Sequence, residues 1–203
     1  MRIFLIESNV PDPASSAVHV VASEIVRLIV AAGHSITLQI IFDMSRHDGV
    51  TEGEQVRLER LQQMGVEVLP PLFTSEVVAK GPRRQRVEFL RQLFLTDALF
   101  PAVAFRDELE RRIARARPEV VFIHASPEGL AASAGIHAVP KFALGGTMDH
   151  YPTEARLKFP ALFDIPSTSL KERAVILFHK LVNARRKRIH FRMIRDCTAV
   201  AIA

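Results

Sequence analysis

The residues best suited by type and spacing to do chemistry fall in three short stretches, each at the end of an apolar run. Ser15 and Ser16 stand just before a run of helical period, and His19 sits in its first turn. Either serine can cap that helix, its hydroxyl accepting a backbone N–H. The same helix end offers free amides and the positive end of the peptide dipole, which suit a phosphate or a sugar hydroxyl. His124 closes Val120-Val121-Phe122-Ile123, and Ser126-Pro127 opens the next helix. Near neutral pH an imidazole donates to a hydroxyl or accepts from one, although a histidine with purely structural partners fits that position as well. Gly145-Gly146 ends a further apolar run and is followed by Thr147, Asp149 and His150. Glycine at a strand end permits close backbone approach or a positive φ.

Some chemistry is not supported. The chain has neither Gly-x-Gly-x-x-Gly nor a Gly-Lys-Ser/Thr phosphate loop, so classical dinucleotide and P-loop binding are not expected. Asp149-His150 lacks a third group at triad spacing, and His124 with His150 makes no zinc pattern, so no metal is expected. The single cysteine, Cys197, cannot form an internal disulfide. It reads as a small buried residue in a protein of a reducing compartment.

The elements that must carry these residues alternate. Residues 2–6 form a short apolar strand, 8–16 a breaker-rich loop, and 18–29 a helix stopped by Gly33, before a second strand over 35–41. Two parallel strands need such a crossover, which is almost always right-handed. A second unit follows: loop to residue 53, helix 54–64, strand 66–69, then Pro70-Pro71. The spacing next predicts helices over 84–98 and 101–115, a strand over 120–123, a helix over 127–134 and a strand over 140–144. A long loop over 147–167, a helix over 169–196 and a last strand over 198–203 complete the pattern. This alternation predicts an α/β fold: a Rossmann-like, doubly wound, mostly parallel sheet with helices on both faces. Loops after the strands then open at the carboxyl edge, where such folds place ligands. The final apolar run Ala199-Val200-Ala201-Ile202-Ala203 suggests that residues 1–203 are the front domain of a longer protein.

With 203 residues, 48% of them hydrophobic, the chain suits one sizeable domain with a buried core. It shows neither a signal-peptide pattern nor an apolar run of the ~20 residues that spans a bilayer. Its net charge of +5 is uneven: residues 171–196 hold nine cations against Glu172 and Asp196, more than the whole surplus. The helix over 171–195 has an apolar face of Ala174, Leu177, Phe178, Leu181 and Val182, continued by Ile189, Phe191 and Ile194, and a basic cluster of Arg185, Arg186, Lys187 and Arg188. That cluster reads as a solvated face with snorkelling stems or as a contact for an anionic bilayer. Nucleic acid is not an expected partner, because the chain has no tryptophan and only Tyr151 as a tyrosine, which leaves no set of stacking platforms.

Taken in order, several stretches resemble the N-terminal, acceptor-side domain of GT-B glycosyltransferases, specifically the large retaining group called family 4 or group 1. Arg2-Ile3-Phe4-Leu5-Ile6 and the Gly33-His34-Ser35-Ile36 helix exit look like the first strand and the G-H-x-V turn. Pro118-Glu119-Val120-Val121-Phe122-Ile123-His124 looks like the P-D-V-V-H-x-H strand, and Val139-Pro140-Lys141-Phe142 like the x-P-x-V strand after it. Asp196-Cys197-Thr198-Ala199 looks like the segment that closes the N-terminal domain.

The resemblance implies one half of a GT-B fold that moves a sugar, with retention, from a nucleotide-sugar donor to a sugar, lipid or protein acceptor. The donor is a substrate; neither a tightly bound cofactor nor a metal is implied. His124 matches the strand-end histidine near the transferred sugar and is the catalytic candidate. Ser15 and Ser16, with Gly145 and Gly146, match the donor-phosphate side. Here Ala14-Ser15-Ser16 replaces the family's glycines, and Gly146 stands where many members carry histidine or an aromatic residue. His19, Ser126, Asp149 and His150 are cleft or acceptor candidates. The donor is held mainly by a C-terminal domain absent from these residues, so the chain alone is expected to be inactive. A cytoplasmic location is implied, peripheral on the inner membrane face if the basic cluster meets lipid. Two other readings stand beside this one: a non-catalytic, flavodoxin-like α/β binding module, and a membrane-surface module acting through the basic helix 171–195.

Overall fold

The computed structural model describes residues 1–43, 49–75, 94–145, 157–158 and 169–202. Its strands are β1 (Arg2–Glu7), β2 (Ser35–Phe42), β3 (Glu67–Val68), β4 (Leu72–Phe73), β5 (Val120–His124), β6 (Lys141–Gly145) and β7 (Ala199–Ile202). The helices are α1 (Ala17–Ala31), α2 (Glu52–Gln63), α3 (Arg106–Ala116), α4 (Pro127–Ser133) and α5 (Leu170–Arg195), with a 3₁₀ turn over Pro101–Phe105 leading into α3.

All strand pairs are parallel, in the order β3-β2-β1-β5-β6-β7, and β4 pairs with β2 beyond the end of β3. Setting β4 aside, this is the 3-2-1-4-5-6 order of a Rossmann-like sheet, as the alternation predicts. It is not the 2-1-3-4-5 order of a flavodoxin-like layout, so that rival arrangement is corrected. From β1 the chain winds one way to β2 and β3 and the other way to β5, β6 and β7. The switch point is therefore the crevice between β1 and β5, whose register pairs Ile3 with Val120 and Ile6 with Ile123.

Residues 3–7 of β1 are all buried, the near-continuous apolar run of a parallel strand covered on both faces. Alternate positions feed two cores. Phe4, Ile6, Val121 and Ile123 pack with Leu109 and Ile113 of α3 and with Val182, Ile189 and Met193 of α5. Leu5, Leu38 and Ile40 pack on the other face with Val26 of α1 and Leu58 and Leu61 of α2. Helices thus cover both faces.

Several boundaries differ from the sequence expectation for local reasons. α2 begins at Glu52, not residue 54, because Thr51 caps it: its side chain accepts from the Glu54 amide while the Glu54 carboxylate accepts from the Thr51 amide, a reciprocal box that satisfies two end donors. The third strand shrinks to two residues before Pro70-Pro71, and β4 returns to the edge of β2. Arg112 fastens that return by donating to the Pro70 carbonyl and to the Gln39 Oε1, each at 2.6 Å. The helix expected over 101–115 is split into the 3₁₀ turn and α3. Residues 84–93 of the helix expected over 84–98 lie outside the described residues, and from Leu95 the chain is not helical. Of the loop expected over 147–167, only 157–158 are described, as helix.

α5 corrects the apolar face assigned to it. Phe178 and Val182 are buried with Ile189 and Met193, but Leu177 and Leu181 are 59% and 54% exposed and Ala174 faces out as well. At its C-terminal end, buried Lys141 donates to the Ser133 carbonyl at 2.9 Å and pairs with Asp196, which also accepts from the Gly135 amide at 2.9 Å. Burial pushes the Asp196 carboxyl up, but the Lys141 bond, the Gly135 amide and the nearby positive charge outweigh it and hold it below its usual range. Cys197 is half-buried beside this lock, its Sγ 3.8 Å from the Met193 carbonyl, and burial pushes its thiol up.

Candidate functional site

The strand ends on either side of the switch point are tied by two successive side-chain rungs. The deeper joins Glu7, the last residue of β1, to His124, the last of β5: His124 Nδ1 lies 3.0 and 3.1 Å from the two Glu7 carboxylate oxygens. Both residues are buried. Desolvation of Glu7 outweighs the bond and charge of His124 and raises its carboxyl to about 7.

One residue outward, Ser8 Oγ donates to Ser126 Oγ at 2.9 Å and approaches Glu128 Oε2 at 3.3 Å. Ser126 in turn accepts the Gly129 amide at 2.9 Å and so caps α4. Between His124 and Ser126, Ala125 adopts φ 43°, a left-handed conformation that L-residues rarely adopt and that collects at functional turns. Its amide is held by the Leu144 carbonyl at 2.8 Å. α4 can sit this close to β1 only because residue 129 is glycine, since a Cβ there would lie 2.6 Å from Ile6 Cγ2.

Above these rungs opens a cavity of about 340 Å³. Ser8, Asn9, Ser16 and His19 line it from the β1–α1 side, and Asp43 from the end of β2. Ser126 and Glu128 contribute from the β5–α4 turn, Gly145 from β6, and His190 and Ile194 from α5. Ile123, Leu130, Leu144 and Val200 supply apolar wall. The volume falls within the range of ligand clefts, and carboxyl-edge switch points are where such clefts recur.

The structure brings Ser16, His19, Ser126 and Gly145 to this one cavity. Ser16 is the N-cap of α1 but makes no side-chain capping bond, and Ser15 instead holds His19, its Oγ 2.8 Å from Nδ1. Capping by either serine hydroxyl is therefore corrected. His124 lies under the cavity, 4% exposed, and is not among its lining residues. Gly145 does not take a positive φ; it is the last residue of β6, and an added Cβ would meet only the Ala201 carbonyl oxygen, at 3.7 Å. Gly146, Asp149 and His150 lie outside the described residues.

The basic cluster is less surface-like than expected. Arg185, Arg186 and Lys187 are half-buried, Arg185 Nη2 donating to the Phe94 carbonyl at 2.8 Å, and only Arg188 of the four is exposed. Among the described residues no group of three His, Cys, Asp or Glu could hold a metal ion, and no helix is long and apolar enough to cross a membrane.

Sequence reasoning missed Glu7, Ser8, Asn9, Asp43, Glu128 and His190. The first three carried a usable signal, because they follow an apolar run just as His124 does. His190 carried none: it lies inside a long helix, next to Ile189 on the buried stripe.

No protein-family profile and no curated protein matches the sequence. Solved structures that align with part of it include the following two. The glycosyltransferase SsfS6 of Streptomyces sp. SF2575 aligns at 18% identity over 71% of this chain and 39% of its own, with a TM-score of 0.39. The glycotransferase of kitacinnamycin aligns at 17% identity over 85% of this chain and 37% of its own, with a TM-score of 0.41. The chain thus spans less than two fifths of the length of each.

Proposed function

We propose that this chain is the acceptor-side half of a GT-B glycosyltransferase that moves a sugar from a nucleotide-sugar donor to a hydroxylated acceptor, in the manner of the retaining family 4 group. The observation that carries the reading is the cavity at the β1–β5 switch point, which gathers Ser16, His19, Ser126 and Gly145 from three separate segments. Neutral hydroxyl and amide groups beside apolar walls suit a sugar or another polyol.

In this account the acceptor occupies the cavity. The rim formed by the first turn of α1 with Ser15 and Ser16 faces the donor phosphates. Oriented amides there stabilise the leaving group without an obligatory metal. His19, half-buried and held by Ser15, is placed to take the acceptor proton. His124, behind the wall, acts as a positioning residue through the Glu7 rung rather than by touching sugar. A donor-binding C-terminal domain completes the cleft, and the isolated chain is inactive without it.

The test is to incubate the complete gene product with a panel of UDP-, GDP- and dTDP-sugars together with sugar, lipid and peptide acceptors, and to follow donor consumption and glycosylated product by mass spectrometry. Consumption of one donor class, abolished by His19→Ala, is expected. A panel left untouched under all conditions would remove the reading.

A second reading, contact with an anionic membrane, is favoured by the outer side of α5. Leu170, Leu177 and Leu181 are exposed there, spaced so that they share a side with the exposed cations Arg173, Lys180, Arg188, Arg192 and Arg195. Each cation near an anionic surface adds about 1 kcal/mol. Sedimentation with phosphatidylglycerol vesicles but not with phosphatidylcholine, weakened by salt, is expected. Equal sedimentation with both lipids, or with neither, would contradict it and leave the location purely cytoplasmic.

A further inference from the structure

The cavity does not end at the tips of the strands. Two of its wall residues lie below them: Ala143 is the third residue of the five in β6, and Val200 is the second of the four in β7. The register sets Ile123 of β5 against Ala143, and Ala143 against Val200. Side chains alternate between the two faces of a sheet, so register partners share a face. Ile123, Ala143 and Val200 therefore make one apolar row across three strands. Ile123 and Ala143 belong to the core that α4 and α5 cover, and Leu130 of α4 and Ile194 of α5 line the same cavity from above the row.

At the middle of this row a single methyl group stands between an isoleucine and a valine. Interiors are close-packed and normally fill such a gap with a larger side chain. Space kept open among apolar walls offers water no partners and suits an apolar guest. The other end of the cavity is polar, with Ser8, Asn9 and Ser126 at the strand ends, so the cavity is amphipathic along its depth.

We propose, resting on the acceptor-side reading above, that the acceptor is an amphiphile: its hydroxylated head lies at the strand ends, and its apolar tail descends between α4 and α5 onto the Ile123–Ala143–Val200 row. Ala143 sets the room for the tail. The row spans two inter-strand gaps, about 10 Å, which a chain of about eight carbons covers. Val200 is 38% exposed on the edge strand, so a longer tail emerges there into water and gains nothing further.

The n-alkyl β-glucosides from methyl to decyl test the claim, with binding to the full chain measured by calorimetry below micelle-forming concentrations. Burying one methylene is worth about fourfold in affinity, so octyl glucoside is expected to bind at least fiftyfold more tightly than butyl, and decyl no more than about twofold more tightly than octyl. Ala143→Val should lower the octyl-to-butyl ratio at least tenfold by filling the row. Val200→Asp, at an exposed position that the fold does not need to bury, should lower it at least fivefold and leave butyl affinity within about twofold. Urea midpoints show whether each variant is folded.

An octyl-to-butyl ratio below about fivefold in the unaltered chain would overturn the proposal, as would a gain that continues unbroken to decyl. So would a ratio that Val200→Asp leaves unchanged, or failure of octyl glucoside to bind at millimolar concentration. Glycosyl transfer by the complete gene product separates this result from the broader reading. Transfer to chain-free sugars alone would refute the tail site and keep the enzyme assignment, whereas the expected chain-length profile without transfer to any acceptor would do the reverse.

Discussion

Replacing Glu7 by Gln should change how the stability of this protein depends on pH, in a direction opposite to that of most acidic residues. Burial holds the Glu7 carboxyl at about 7, against an ordinary value of 4.5. A group that binds its proton more tightly in the folded state stabilises the fold while protonated. That stabilisation is complete below about 4.5, declines as the unfolded chain releases its proton first, and is gone above about 7. The slope is about 1.4 kcal/mol per pH unit, so between pH 5 and pH 8 Glu7 should cost the folded state about 2 to 3 kcal/mol.

Glutamine cannot ionise and keeps an oxygen that can accept from His124 Nδ1, so the variant lacks this decline. Urea midpoints of both proteins at pH 5, 6, 7 and 8 give the difference directly, with titrating groups distant from Glu7 cancelling to first order. The two proteins should lie within about 1 kcal/mol of each other at pH 5, and the variant should gain on the wild type at each step upward. Parallel curves would show that Glu7 does not titrate in this window. A wild type that gains on the variant as pH rises would show that Glu7 is an ionised partner of His124, and would refute the argument that desolvation dominates.

Two further expectations concern packing around the same frame. Gly129→Ala should destabilise the protein by about 1 to 3 kcal/mol, read as a lower urea midpoint, because its Cβ would lie 2.6 Å from Ile6 Cγ2; an unchanged midpoint would mean that α4 shifts freely. Lys141→Met should cost about 2 kcal/mol by leaving Asp196 without its cation. The double variant with Asp196→Asn should cost less than the sum of the two single changes, and strict additivity would show that the pair does not act as a unit.

Much of the fold was legible because its central strands are apolar on both faces and its punctuation is explicit. Gly33 and Gly65 adopt φ 77° and 88° just after α1 and α2, where only glycine does so at no steric cost. Leu72-Phe73 was not legible, since two apolar residues after a proline pair have no period, and their pairing depends on Arg112 arriving from a helix forty residues later. α5 misled for a different reason. Leu177 and Leu181 keep helical spacing with Phe178 and Val182, and periodicity cannot say which of two adjacent apolar stripes the sheet will cover.

At the site, strand ends were visible as apolar runs that stop, which located Ser16, Ser126 and Gly145. The environment beyond those ends was not visible. The pairing of Glu7 with His124 follows from the register of β1 against β5, a long-range fact that no local spacing carries. The same register turns His124 from a candidate contact into a buried residue beneath the cavity.

The most direct measurement of the central claim is donor turnover by the complete gene product carrying Gly145→Leu. Residue 145 has ordinary strand geometry, room for a Cβ and a place on the cavity wall, so leucine should be accommodated by the fold while filling the chamber. If the cavity at the β1–β5 crevice is where the acceptor sits, the variant keeps its circular dichroism and urea midpoint and loses sugar transfer by at least tenfold. Undiminished transfer in a variant whose chamber is filled would place the acceptor elsewhere and contradict the account.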